Sequence, residues 1–170
     1  HIRKSLILSE TFSNIEYMKD SGLFKGDDGL LRCWLCRGRP DYIEYHDREW
    51  GRPTIEDDAL FEKLALEGFQ AGLSWYTILR RREAFREAFE GFEIDRLIGW
   101  DPDQTVSRLM NNEEIIRNEG KIKAVILNAR ITRAIQEEYG SLSEFIWSFK
   151  PDPSERPDQM TFTEVKSMVT

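Results

Sequence analysis

Two cysteines separated by two residues, Cys33 and Cys36, are followed ten residues on by His46. Thiolates and imidazoles are zinc ligands, and a two-residue gap lets two thiols share one metal. A closed structural site needs four donors, and this stretch supplies three. On spacing alone, two unliganded thiols and a hydrogen-bonded histidine is the simpler reading. A second feature is Glu67 within Leu66-Glu67-Gly68-Phe69-Gln70-Ala71-Gly72-Leu73-Ser74-Trp75. A carboxylate at a helix end, flanked by glycines and aromatic rings, sits where the backbone turns and a pocket can form. Desolvation there favours a cationic partner, and ring faces favour cations as well. The plainer alternative is a solvated glutamate in a C-terminal turn.

Aromatic residues gather in the same region: Trp34, Tyr42, Tyr45, Trp50 and Trp75. Such rings stack on nucleic-acid bases, and they also fill cores. Further on, Glu113-Glu114-Ile115-Ile116-Arg117-Asn118-Glu119-Gly120-Lys121-Ile122 reads as a short helix, a glycine-bearing hairpin and the start of a long helix. The free N–H groups at that start, with Lys121 beside them, suit a phosphate.

The elements that must position these residues are helical. Thr54 or Asp57 caps a helix carrying Leu60, Phe61, Leu64 and Leu66, which Gly68 and Gly72 break or end. Ser74 caps the next helix, with Ile78, Leu79, Phe85 and Phe89 inward and its arginines outward. Short helices are expected at Ile94–Trp100, Pro102–Met110 and Glu113–Arg117, then a long one over Lys121–Tyr139 stopped by Gly140. Ser141 caps a last piece with Leu142, Phe145, Ile146 and Phe149. No segment alternates as a strand, so the fold class is all-α. Residues 1–30 read as an appendage holding one short helix and the turn Gly26-Asp27-Asp28-Gly29, and residues 31–150 as the helical domain. Residues 151–170 read as a proline-bearing linker and a helix start near Glu164 in a truncated C-terminal segment.

The chain has 170 residues and a net charge of −7, which disfavours a broadly basic nucleic-acid surface and leaves local patches as the means of binding phosphate. Two such patches are Arg80–Arg82 and the set Arg117, Lys121, Lys123, Arg130 and Arg133. Solvated helix faces are the ordinary reading of both. No apolar run is long enough to cross a membrane. One Cys-x-x-Cys pair cannot build a disulfide framework, so a cytoplasmic protein with thiols free or metal-bound is expected. The first residue is His1 rather than Met, which reads as a processed or trimmed start.

Taken in order, these segments resemble the DNA-3-methyladenine glycosylase I family, a branch of the helix-hairpin-helix DNA glycosylases. The matching text is Arg32-Cys33, Tyr42-Ile43-x-Tyr45-His46-Asp47-x-Glu49-Trp50-Gly51, Leu60-Phe61-Glu62 and Leu66-Glu67-Gly68-x-Gln70-Ala71-Gly72-Leu73-Ser74-Trp75. It continues with Ile115-Ile116-Arg117, Gly120-Lys121-Ile122, Asn128-Ala129-Arg130 and Phe145-x-Trp147-Ser148-Phe149, and so covers residues 32–150.

The resemblance implies a helical bundle and a base-excision repair enzyme that hydrolyses the N-glycosidic bond of 3-methyladenine in duplex DNA, acting as a monomer. It implies that Glu67 recognises the methylated base, that Tyr45 contacts it and that Trp75 stacks on it. Trp34 and Tyr42 are further candidates for the base pocket. Arg117, Gly120 and Lys121 fall on the hairpin that grips the DNA backbone. Cys33 and His46 match two ligands of a structural zinc, whose second histidine and second cysteine the family places in a later segment absent here. The zinc site is therefore expected to be incomplete in this chain. The chain also departs at Leu35, where some relatives carry a pocket tryptophan, and Trp34 is the adjacent substitute. No aspartate near the hairpin stands out as a base for activating water, which leaves Asp47 as the candidate. A non-catalytic helix-hairpin-helix DNA-binding module and a metal-stabilised interaction domain are the competing classes.

Overall fold

The computed structural model describes residues 22–152 and 154. The helix expected within the first residues and the one expected near Glu164 lie outside them. The chain divides at Gly51–Arg52 and Lys150–Pro151 into two compact units.

The first unit contains a feature the sequence reading missed. Strands β1 (Leu23–Lys25) and β2 (Leu31–Cys33) pair antiparallel, with Phe24 opposite Arg32. Three residues are too few to show alternation, so only the turn between the strands was legible. That turn closes through Gly26 N–H to Leu30 O at 2.9 Å and Gly29 N–H to Gly26 O at 2.9 Å. A Cβ on Gly26 would come within 2.7 Å of Arg32 Nη1 and 2.8 Å of Asp28 Oδ1, so a side chain there would displace the pair those atoms form. The expected boundary at residue 30 thus falls inside a hairpin. A 3-10 turn at Trp34–Cys36 leads to helix α1 (Pro40–Arg48), which starts on a proline and is longer than the short helix expected near Tyr42–Tyr45.

The second unit is all helical: α2 (Asp57–Gln70), α3 (Trp75–Leu79), α4 (Arg82–Ala88), α5 (Ile94–Leu97), α6 (Pro102–Leu109), α7 (Glu119–Tyr139) and α8 (Leu142–Trp147). Leu60, Phe61, Ala65, Leu66 and Phe69 of α2 are buried at helical spacing. Phe69 packs on Phe85 and Phe89 at ring separations of 4.5 and 5.9 Å, and Phe92 stacks on Phe89 at 5.4 Å. Ile122, Val125, Ile126 and Ala129 of α7 close the same core. The caps expected at Ser74 and Ser141 form, but the one expected at Thr54 or Asp57 does not, because Glu56 holds that position and makes no side-chain cap bond. Ser74, Asp101, Asn118 and Ser141 each accept the N–H three residues on, and Gly140 ends α7 at φ +88°.

Three local expectations are corrected. Helix α2 runs through Gly68 and ends only at Gln70, because burial of Leu66 and Phe69 outweighs the weak cost of one interior glycine. The helix expected after Ser74 is two, broken at Arg80-Arg81. No helix forms at Glu113–Arg117, and α6 joins α7 through an irregular connection, residues 110–118, in which Ile115 is buried.

Candidate functional site

In the first unit, Arg32 is 6% exposed and holds the local structure together. Its Nε donates to both oxygens of Asp47 at 2.9 Å, its Nη2 to Asp47 Oδ2 at 2.7 Å, and its Nη1 to Asp28 Oδ1 at 2.8 Å. The guanidinium beside them holds both carboxyls well below the usual range, at about 2. Asp47 continues the chain to His46, whose Nδ1 lies 3.0 Å from Asp47 Oδ1. The His46 ring stacks on Trp50 at 5.3 Å. The hairpin turn, strand β2 and helix α1 therefore orient the imidazole jointly. This arrangement argues against Asp47 as the base that activates water. A carboxylate bound by a buried arginine, with its proton affinity lowered this far, is a poor proton acceptor.

Cys33, Leu35, Tyr42, His46 and Trp50 line a cavity of about 20 Å³. Cys33 and His46 thus line one small space. Tyr42, expected at the base, lines this cavity, and burial raises its hydroxyl pKa. Cys36 is fully buried and its thiol donates to Cys33 O at 3.2 Å, which is how a thiol behaves in packing. Burial pushes both thiols up. Among the described residues, no group of three or more His, Cys, Asp or Glu is arranged to hold a metal ion, so Cys33 and His46 alone do not close a tetrahedral site. Trp34 is 52% exposed on its 3-10 turn, and Tyr45 is half-buried on α1, its ring 6.1 Å from that of Tyr42.

In the second unit, Glu67 lies in the last turn of α2, on the face opposite Leu66 and Phe69. It is exposed and, among the described residues, its carboxylate makes no hydrogen bond or ion pair. This is the unfavourable end of a helix for an anion, since the C-terminal carbonyls are themselves negative. Beyond it the chain reverses at Gly72, φ +80°, where a side chain would be strained. Ser74 then caps α3, whose first residue is the half-buried Trp75. Glu67 and Trp75 therefore stand at the two ends of one short, tightly specified connection.

The basic residues expected to meet phosphate are engaged within the protein. Lys121 Nζ donates to Phe69 O at 2.9 Å and Ala71 O at 2.6 Å. Lys123 pairs with Glu119 and Asp103, and Arg130 donates to Ile98 O and Trp100 O. Arg133 pairs with Asp95, and Arg117 lies 3.6 Å from Glu113. Gly120 lies in the first turn of α7, beside the Asn118 cap. Of the other patch, Arg82 turns inward, against expectation, onto the buried Glu62, which Arg86 also reaches at 3.0 Å. A further cavity of about 440 Å³, lined by Glu90, Trp100, Gln104 and Arg108 among others, contains none of the expected site residues.

The fold places the chain among the helical DNA glycosylases. A solved structure describing 3-methyladenine recognition by 3-methyladenine DNA glycosylase I from Staphylococcus aureus matches with a TM-score of 0.63 and 41% identity, over 65% of this chain and 58% of that one. The chain belongs to the methyladenine glycosylase family, whose model matches residues 34–170. It is 43% identical over 133 residues to the DNA-3-methyladenine glycosylase of Haemophilus influenzae, covering 75% of this chain and 70% of the relative. It is 38% identical over 136 residues to DNA-3-methyladenine glycosylase 1 of Escherichia coli, covering 80% and 72%.

Proposed function

We propose that the protein excises 3-methyladenine from alkylated DNA, with Glu67 as the group that recognises the base. The observation that carries this reading is an exposed carboxylate with no partner among the described residues, at the negative end of α2, beside the connection to Trp75. A cationic methylated purine is the ligand for which that placement is favourable. Flipping the nucleotide out costs a few kcal/mol, less where pairing is already damaged. The positive charge already weakens the glycosidic bond, and the base leaves neutral, so no strong general acid is needed. Glu67 accepts hydrogen bonds from the base edge, and Trp75 holds its plane. Water attacks the oxocarbenium-like sugar. The start of α7 and the 110–118 connection serve as the hairpin against the DNA backbone.

The test is release of free base from methylated DNA. The protein is expected to release 3-methyladenine, and Glu67→Gln to lower both release and affinity for the free base. Unchanged release and affinity in Glu67→Gln would remove Glu67 from the mechanism. The reading extends to a monomer acting in the cytoplasm, which sedimentation of the purified chain checks for its first half. It extends also to a structural zinc, of which Cys33 and His46 would supply two ligands. Their shared cavity and the Asp47–His46 contact, of the kind that orients a metal-bound imidazole, support it. Metal analysis checks it: with two ligands of four, zinc is expected to be held weakly and to be lost in Cys33→Ser.

A further inference from the structure

Lys121 stands at the start of α7, where a lysine beside a helix N-terminus ordinarily suggests a phosphate. The structure gives it other partners. Its ammonium donates to Phe69 O and Ala71 O, two carbonyls at the end of α2 reached across about fifty residues of chain. Its own backbone N–H is held by Asn118 Oδ1 at 3.0 Å, so the root of the side chain is fixed as well. The intervening carbonyl, Gln70 O, accepts from Leu73 N–H at 2.6 Å. Three successive carbonyls that a helix end leaves unsatisfied therefore each have a donor, and two of the three share one cation.

This helix end is the one that carries Glu67. Phe69 is two residues beyond it, and Ala71 is the residue from which the chain turns at Gly72 toward Ser74 and Trp75. A cation here does two things. It fixes the direction in which the 71–74 connection leaves the helix. It also offsets the negative potential that the helix carbonyls impose on a carboxylate in the last turn.

We propose that Lys121 is a positioning residue for the base pocket, and that it acts on the end of α2 rather than on DNA phosphate. The proposal rests on the reading of Glu67 as the base acceptor. It makes the hairpin side of the molecule and the pocket side mechanically one: whatever seats α7 against DNA also bears on the residues that meet the base.

The experiment compares Lys121→Met, which keeps the apolar stem, with Lys121→Arg, which restores a multi-donor cation. Three quantities are measured: affinity for free 3-methyladenine, the salt dependence of affinity for unmodified duplex DNA, and amide hydrogen exchange at residues 71–74. Lys121→Met is expected to bind the free base about tenfold more weakly, a loss of about 1.4 kcal/mol. Its salt slope is expected to match that of the unsubstituted protein, and its amides at 71–74 to exchange faster. Lys121→Arg is expected to recover most of the affinity and protection. A Lys121→Met variant with unchanged base affinity overturns the proposal. So does one whose salt slope falls by about one, the mark of a lost phosphate contact. The two possible failures are distinct. An unsubstituted protein with no affinity for the free base removes the reading of Glu67. Unchanged exchange at 71–74 in Lys121→Met removes the positioning of that connection by Lys121.

Discussion

Asp47 shows how one residue's chemistry is decided by its neighbours. In the sequence it directly follows Tyr45-His46 and can be read as a catalytic base. In the structure it is bound by Arg32 on one side and His46 on the other. Nothing in the spacing shows this, because the arginine arrives from a strand of three residues, fifteen positions earlier. The consequence is a pH dependence. Asp28 and Asp47 titrate near 2 in the folded chain, below their unfolded range near 4. A depressed folded value means stability that is fully present above about pH 4 and lost as pH falls toward 2. Thermal melts from pH 6 to pH 2 are therefore expected to show a fall that Asp47→Asn flattens, with a lower melting temperature at neutral pH. A variant with the same acid profile as the unsubstituted protein would show that the Arg32 contacts contribute nothing in solution.

At the scale of elements, Asp57 joins three helices. It stands in the first turn of α2 and accepts from Leu142 N–H and Ser143 N–H at the start of α8, both at 2.9 Å, and from Gln136 Nε2 of α7 at 2.7 Å. Burial pushes its carboxyl up, but the three donors outweigh this and leave it below the usual range. Asp57→Ala removes an N-terminal cap and strands buried donors, so a loss of about 2 kcal/mol is expected from the denaturant midpoint. The caps at Ser74 and Ser141 and the stop at Gly140 were legible, because each acts on atoms within four residues of itself, whereas the start of α2 was misplaced. What was not legible is long-range pairing. Arg82 looks the same in sequence whether solvated or bound to Glu62, and only the packing of α4 on α2 decides. Glu62→Ala leaves Arg82 facing a buried site without its anion, and a cost of about 3 kcal/mol in the same measurement is expected. The absent helix at Glu113–Arg117 has a similar cause. Burial of Ile115 in the core and the turn at Asn112, whose side chain accepts Glu114 N–H, fix an irregular path that local propensity does not specify.

For the whole molecule, the question is how a chain of net charge −7 approaches DNA. The sequence offered the basic set on residues 117–133 as the patch that overcomes this charge. Each of those five side chains has a partner inside the protein, three of them carboxylates and two of them backbone carbonyls. A cation held by an internal partner neutralises a phosphate only by giving that partner up, so fewer DNA counterions are released. Affinity for duplex DNA should then rest on few phosphate contacts and on the flipped base itself. With about two or three phosphates neutralised, the logarithm of affinity is expected to fall against the logarithm of salt with a slope of about −2 to −3. Titrations of undamaged duplex between 50 and 200 mM salt measure it (an ordinary working range for such slopes). A slope steeper than about −5 would mean that these internal pairs open on DNA and that the basic face is a phosphate surface after all. A shallow slope would place discrimination in the region of Glu67 and Trp75, where a damaged base rather than the duplex provides the positive charge.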